Sequence, residues 1–242
     1  MRVGRVAATV LLLLAAGRVM AACEFGRSGS EPSLQSVFDD LLGAGAPSAT
    51  ADCISADKTW HASAELDASI VIELAGFAAK NEFGIYDASD PSERIRLFKG
   101  RDGAGDSSNV QFESNGDGFD VVVNGKSRGE IGRDFGFYLL TAAHQLYFSD
   151  PALNNRSEDH LVAYQGNGAT FARGPLAGSS FAAGMYLLGF EDLPLRHSDR
   201  DYQDFVALID MATPVPLPAG IVLLGSSLLM ATVLRRRRPL AS

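Results

Sequence analysis

The chain has 242 residues, 46% of them hydrophobic and 21% charged, with a formal net charge of −8. That length is enough for one domain with a sizeable core. The acidic balance excludes nucleic-acid binding, which needs a basic surface, and suits divalent cations or plain solubility.

Residues 1–22 have the make-up of a secretory signal peptide. Arg2 and Arg5 precede the apolar run from Val6 to Gly17, and Ala21 and Ala22 offer a cleavage site. Sec-type export machinery is therefore the first expected partner. In an oxidising compartment Cys23 and Cys53, the only two cysteines, are expected to form one disulfide. Lipidation of Cys23 is the competing reading, but Met20-Ala21-Ala22-Cys23 is a poor lipoprotein-processing sequence.

Residues 23–59 form a lead-in to the main domain. Ser33 can cap a short amphipathic helix in which Leu34, Val37, Phe38, Leu41 and Leu42 recur at helical spacing, and Gly43 and Gly45 end it. Its apolar face is expected to pack on the domain that follows.

From 60 to 212 short strands alternate with turns. The candidates are Ile70–Leu74, Phe83–Tyr86, Ile95–Phe98, Val110–Phe112, Phe119–Val123, Phe135–Leu139, Leu146–Phe148, Leu161–Tyr164, Met185–Phe190 and Phe205–Ile209. Asn124-Gly125 and Asp102-Gly103 supply turn residues between them. Strands at this spacing predict an all-β domain, an antiparallel β-sandwich of jelly-roll type.

The densest polar stretch lies near the end of that domain. Glu191 and Asp192 follow a strand, and Asp199, Asp201 and Asp204 lie in the loop that leads to the next. Carboxylates alternating in a turn can aim at a common centre, and calcium takes six to eight oxygens in flexible geometry. The plainer reading is a solvated acidic loop whose aspartates cap local N–H groups. Other features invite simpler explanations. Asn115-Gly116-Asp117-Gly118-Phe119-Asp120 reads as a hairpin turn, and Asp159-His160 as a structural histidine rather than a general base. His61, His144, His160 and His197 lack zinc-ligand spacing. Trp60 and the tyrosines can line a glycan groove, although aromatic residues at strand spacing are usually core. No nucleophile motif is present, so no enzymatic activity is expected.

Residues 213–242 close the chain with a proline strip, an uncharged apolar segment from 219 to 234 and four arginines. As a helix that segment reaches about 24 Å at ~1.5 Å per residue, short of a hydrocarbon core of roughly 30 Å. The arginines Arg235, Arg236, Arg237 and Arg238 act as a cytoplasmic stop by the positive-inside rule. Val215, Pro216, Leu217, Pro218 and Ala219, followed by such a helix and arginine cluster, resemble the VPLPA variant of the PEP-CTERM sorting signals handled by exosortases. That resemblance implies transient capture in the inner membrane, removal of the tail by an exosortase-like enzyme, and delivery to the cell surface or extracellular matrix. An uncleaved single-span anchor is the alternative. With both end segments removed, 29 acidic residues face 14 basic ones, a net of −15.

A second resemblance spans roughly 70 to 210. Phe83-Gly84-Ile85-Tyr86-Asp87, Phe135-Gly136-Phe137-Tyr138-Leu139, Asp159-His160 with Ala163-Tyr164-Gln165, Gly189-Phe190-Glu191-Asp192-Leu193 and Ser198-Asp199-Arg200-Asp201-Tyr202-Gln203-Asp204 resemble domain of unknown function 4114. Members of that family commonly carry this kind of tail, and their last motif reads D-x-D-[FY]-N-D after a glycine-rich loop. Here Pro194-Leu195-Arg196-His197 replaces the glycines and Gln203 the asparagine. Taken together, these features predict an exported, non-catalytic surface or matrix module whose acidic loop binds calcium. The alternative is a secreted carbohydrate-binding protein or carbohydrate-active enzyme with surface polysaccharide as its partner.

Overall fold

The computed structural model describes residues 25–26, 32–54, 58–62, 65–73, 81–174 and 176–211. The signal peptide 1–22, Cys23, the sorting motif 215–219, the expected helix 219–234 and Arg235 to Arg238 lie outside them. Among the described residues no helix is long and apolar enough to cross a membrane.

The described chain is mostly antiparallel sheet with one α-helix. Strands β1 (Trp60–His61), β3 (Glu82–Asp87), β4 (Arg94–Phe98), β8 (Asp134–Leu140) and β9 (Leu146–Phe148) form one sheet, ordered β1-β8-β3-β4 with β9 also on β8. The second sheet contains β2 (Glu65–Glu73), β5 (Ser107–Ser114), β6 (Phe119–Val123), β7 (Lys126–Ile131), β10 (Leu161–Gln165), β11 (Met185–Phe190) and β12 (Phe205–Met211). Its order is β10-β11-β12-β2-β5-β6-β7. The two inner faces share one core. Phe83, Ile85, Phe135 and Phe137 from the first sheet meet Val110, Phe112, Val121, Phe190, Phe205 and Ile209 from the second. This is sheet-on-sheet packing, in which alternate residues such as Phe83 and Ile85 of β3 or Phe135 and Phe137 of β8 turn inward.

The predicted helix forms as α1 (Leu34–Leu42). Ser33 accepts a hydrogen bond from the Ser36 amide on its hydroxyl oxygen, and Gly43 closes the last turn at φ 61°. Leu34, Phe38 and Leu42 lie against Val162, Tyr164, Leu187, Val206 and Leu208 on the outer face of the second sheet. The rings of Phe38 and Tyr164 meet edge to face with centroids 4.7 Å apart. Strands β10, β11 and β12 are therefore buried on both faces, which is why they read as continuous apolar runs. Cys53, buried in this second core, is disulfide-bonded.

Two similar segments, Phe83-Gly84-Ile85-Tyr86 and Phe135-Gly136-Phe137-Tyr138, pair antiparallel so that Gly84 faces Tyr138 and Tyr86 faces Gly136. Each tyrosine ring lies over the opposite glycine. A Cβ on Gly136 would stand 2.3 Å from the Tyr86 ring, so the glycines make room for aromatic cover.

Trp60 belongs to the core, its ring edge to face with Phe137 at 4.7 Å. Strand β2 begins at Glu65, ahead of the expected Ile70, and β1 and β7 add strands that the apolar pattern does not announce.

Candidate metal centre

The acidic loop joins β11 to β12. The last cross-strand pair, Phe190 with Phe205, puts Glu191 and Asp204 side by side where the ladder ends, and the chain between them folds back over the sheet. The Asp192 amide donates to Asp204 Oδ2 at 3.0 Å, and the Glu191 amide to the His160 carbonyl at 3.0 Å. The loop then turns sharply, with Arg200 at φ 55° and Tyr202 at φ 56°. Both are strained positions for side chains of this size.

Remote groups fix these turns. The Tyr202 hydroxyl donates to the Asp159 carbonyl at 3.0 Å, and its ring meets Phe25 edge to face at 5.4 Å. The Gly26 amide donates to the Arg200 carbonyl at 3.0 Å. A Cβ on Gly189 would lie 2.5 Å from the Tyr202 carbonyl oxygen, so only glycine lets the loop cross β11 this closely.

The outcome is convergence of all five predicted carboxylates in two sets. One oxygen each of Glu191, Asp199 and Asp201 lie within 4.8 Å of one another, and the same holds for Glu191, Asp192 and Asp204. Glu191 and Asp201 are 1% and 3% exposed. Neither Glu191 Oε2 nor Asp201 Oδ1 has a hydrogen-bond partner. Among the described residues Glu191, Asp199, Asp201 and Asp204 make no ion pair.

Such an arrangement opposes its own charge. Two carboxylates 4.8 Å apart repel by about 3.5 kcal/mol at an effective dielectric of ~20. Burial, followed by the charge of Asp204, pushes the Glu191 carboxyl far above the usual carboxylate range. Asp201 is raised by burial and then by Asp199 and Asp204. Buried charges of one sign are held in proteins by protons or by metal ions. Oxygens this close fit calcium, whose ligands at about 2.3–2.6 Å can stand up to ~5 Å apart across one shell.

The two departures from the motif that this loop resembles take definite places. Gln203, 1% exposed, donates from Nε2 to Asp201 Oδ2 at 2.7 Å and so aims that carboxylate. Arg196 and His197 are exposed and hydrogen-bond each other at 2.9 Å.

His160, a residue the sequence marks only as structural, lies directly beneath the loop. It is 1% exposed, stacks on Tyr147 with ring centroids 3.8 Å apart, and sets Nδ1 3.1 Å from the Glu191 carbonyl. Burial lowers its pKa. Asp159 does not orient it, since its Oδ1 accepts from the Leu161 amide; Glu158 Oε2 lies 3.5 Å from Nε2 instead. Nothing in the sequence links Phe25, Gly26 or His160 to the loop. The Asn115–Asp120 stretch is the β5–β6 turn, with Asn115 Oδ1 accepting from the Gly118 amide.

Fold and site thus define a two-sheet antiparallel sandwich with a convergent acidic centre at one hairpin. The sequence profile of a family described as "Domain of unknown function (DUF4114)" matches residues 104–212, a stretch that contains the whole centre. No curated protein and no solved structure matches the chain.

Proposed function

We propose that the chain is an exported, non-catalytic cell-surface or extracellular-matrix protein whose β domain binds calcium through the 191–204 loop. One observation carries the calcium reading: Glu191 and Asp201, both buried, converge with other carboxylates and leave oxygens with neither a hydrogen-bond donor nor a counter-cation. A bound dication supplies the missing charge and folds the loop into one piece with β11 and β12. The non-catalytic reading is supported by the Asp159-His160 pair, in which the aspartate is turned to a backbone amide rather than to the imidazole. The pairing of β12 with β2 and of β8 with β1, strands remote in sequence, favours the jelly-roll type of sandwich.

Export and sorting rest on the two chain ends. The signal-peptide pattern of 1–22 and the ordered Val-Pro-Leu-Pro-Ala strip, apolar helix and arginine cluster support capture at the inner membrane and processing by an exosortase-like enzyme. The mass of the mature protein is the test: loss of Arg235 to Arg238 is expected, and their retention would refute tail removal. For the domain, thermal melts with and without calcium should show stabilisation in the native chain and none in D199A/D201A. Turnover of any polysaccharide in a panel would overturn the non-catalytic reading.

A further inference from the structure

We infer that the 191–204 loop holds two calcium ions bridged by Glu191; this rests on the calcium reading above. The five carboxylates do not converge as one set. They divide into Glu191 with Asp199 and Asp201, and Glu191 with Asp192 and Asp204, each within 4.8 Å, and Glu191 alone is common to both. Each set matches one calcium shell, in which oxygens stand up to about 5 Å apart. A carboxylate has two oxygens, so Glu191 can give one to each ion.

The other carboxylates show the same division of labour. Asp201 uses Oδ2 to accept from Gln203, leaving Oδ1 without a donor. Asp204 uses Oδ2 to accept from the Asp192 amide, which keeps its second oxygen for an ion. These two aspartates, one from each set, thus tie down the loop with one oxygen and keep the other for an ion. Charge points the same way. One dication among five carboxylates leaves a net of three negative charges, whereas two leave one, and four of the five have no other positive partner among the described residues.

The two positions differ in depth. Beside the shared and buried Glu191, the first set has buried Asp201 and exposed Asp199, whereas the second has Asp192 and Asp204, both half-buried. Asp201 gives the first set a second fully buried carboxylate, so it fills at lower calcium and the second set at higher calcium.

Native mass spectrometry and isothermal titration of the full chain, with calcium as the only probe, test this. Two ions per chain in two affinity steps are expected. D204N should leave one ion and keep the tighter step, and D201N should remove that step. E191Q should weaken both by about tenfold or more, no less than is lost when a mere outer-shell partner is removed. Melts in chelator check folding, and each variant should melt no lower than the native chain because a repulsion has been relieved. A single ion per chain, weakened alike by D201N and D204N, overturns the bridged pair. No calcium at all overturns the underlying calcium reading instead.

Discussion

Replacing Glu191 by Gln should reverse its effect on stability according to whether calcium is present. Glu191 is the buried member common to both carboxylate sets, each within 4.8 Å. Each such pair repels by about 3.5 kcal/mol at an effective dielectric of ~20, and partial protonation relieves some of this, so the amide should stabilise the calcium-free domain by about 1–3 kcal/mol. In excess calcium the order inverts. A ligand at ~100 times its Kd stabilises by about 2.7 kcal/mol, which for a domain of this size raises the melting point by roughly 5–11 °C. The native chain should gain that shift and E191Q at most about half of it. Paired melts in chelator and in millimolar calcium measure both halves. E191Q melting below the native chain in chelator, or an equal calcium shift in both, would refute the reasoning.

Three further outcomes follow from the same structure. Glu191 and Asp201 have raised pKa values in the fold, so their contribution is fully present below the ordinary carboxylate pKa and is lost as pH rises through the raised values. Chelated protein should therefore lose stability from about pH 4–5 upward, and calcium should flatten that decline; denaturant midpoints across pH check it. Gly189→Ala sets a Cβ 2.5 Å from the Tyr202 carbonyl, and should cost about 1–3 kcal/mol while weakening calcium binding, read by melts and titration. Gly136→Ala meets the Tyr86 ring at 2.3 Å and should destabilise by a similar ~1–3 kcal/mol with calcium affinity unchanged, because it lies in the other sheet.

Helix α1 and strands β10 to β12 are legible from the sequence because each has a strong apolar pattern with definite ends, as Ser33 and Gly43 give the helix. Strand β7, Lys-Ser-Arg-Gly-Glu-Ile, shows five exposed residues and one buried one. It exists because Asn124-Gly125 turns the chain back on β6, at φ 51° and 72°, and no hydrophobic period marks it. The early part of β2 is hidden for a related reason: Glu65-Leu66-Asp67-Ala68-Ser69 gains its place by pairing with β12 and β5. At the acidic centre the ligand types and spacing are visible, because carboxylates at 199, 201 and 204 alternate in a turn. The burial of Glu191 and Asp201 is not. It comes from Gly26 and Phe25, far away in sequence, and from His160 and Tyr147 below. Gln203 shows how misleading a motif departure can be, since as a sequence change it counts against the site, whereas in the fold it aims Asp201.

The position of β12 has a mechanical consequence. It is an inner strand of the seven-stranded sheet, bonded on one side to β11 from Met185 to Phe190 and on the other to β2 from Glu65 to Glu73. From Met211 the chain continues directly into the proline strip of the tail. A pull on the C-terminal end therefore acts along β12 and loads two ladders in shear, many hydrogen bonds at once, where an edge hairpin would unzip one bond at a time. The acidic centre lies at the far end of that same strand, so a metal bound there would close the load path opposite the point where tension enters.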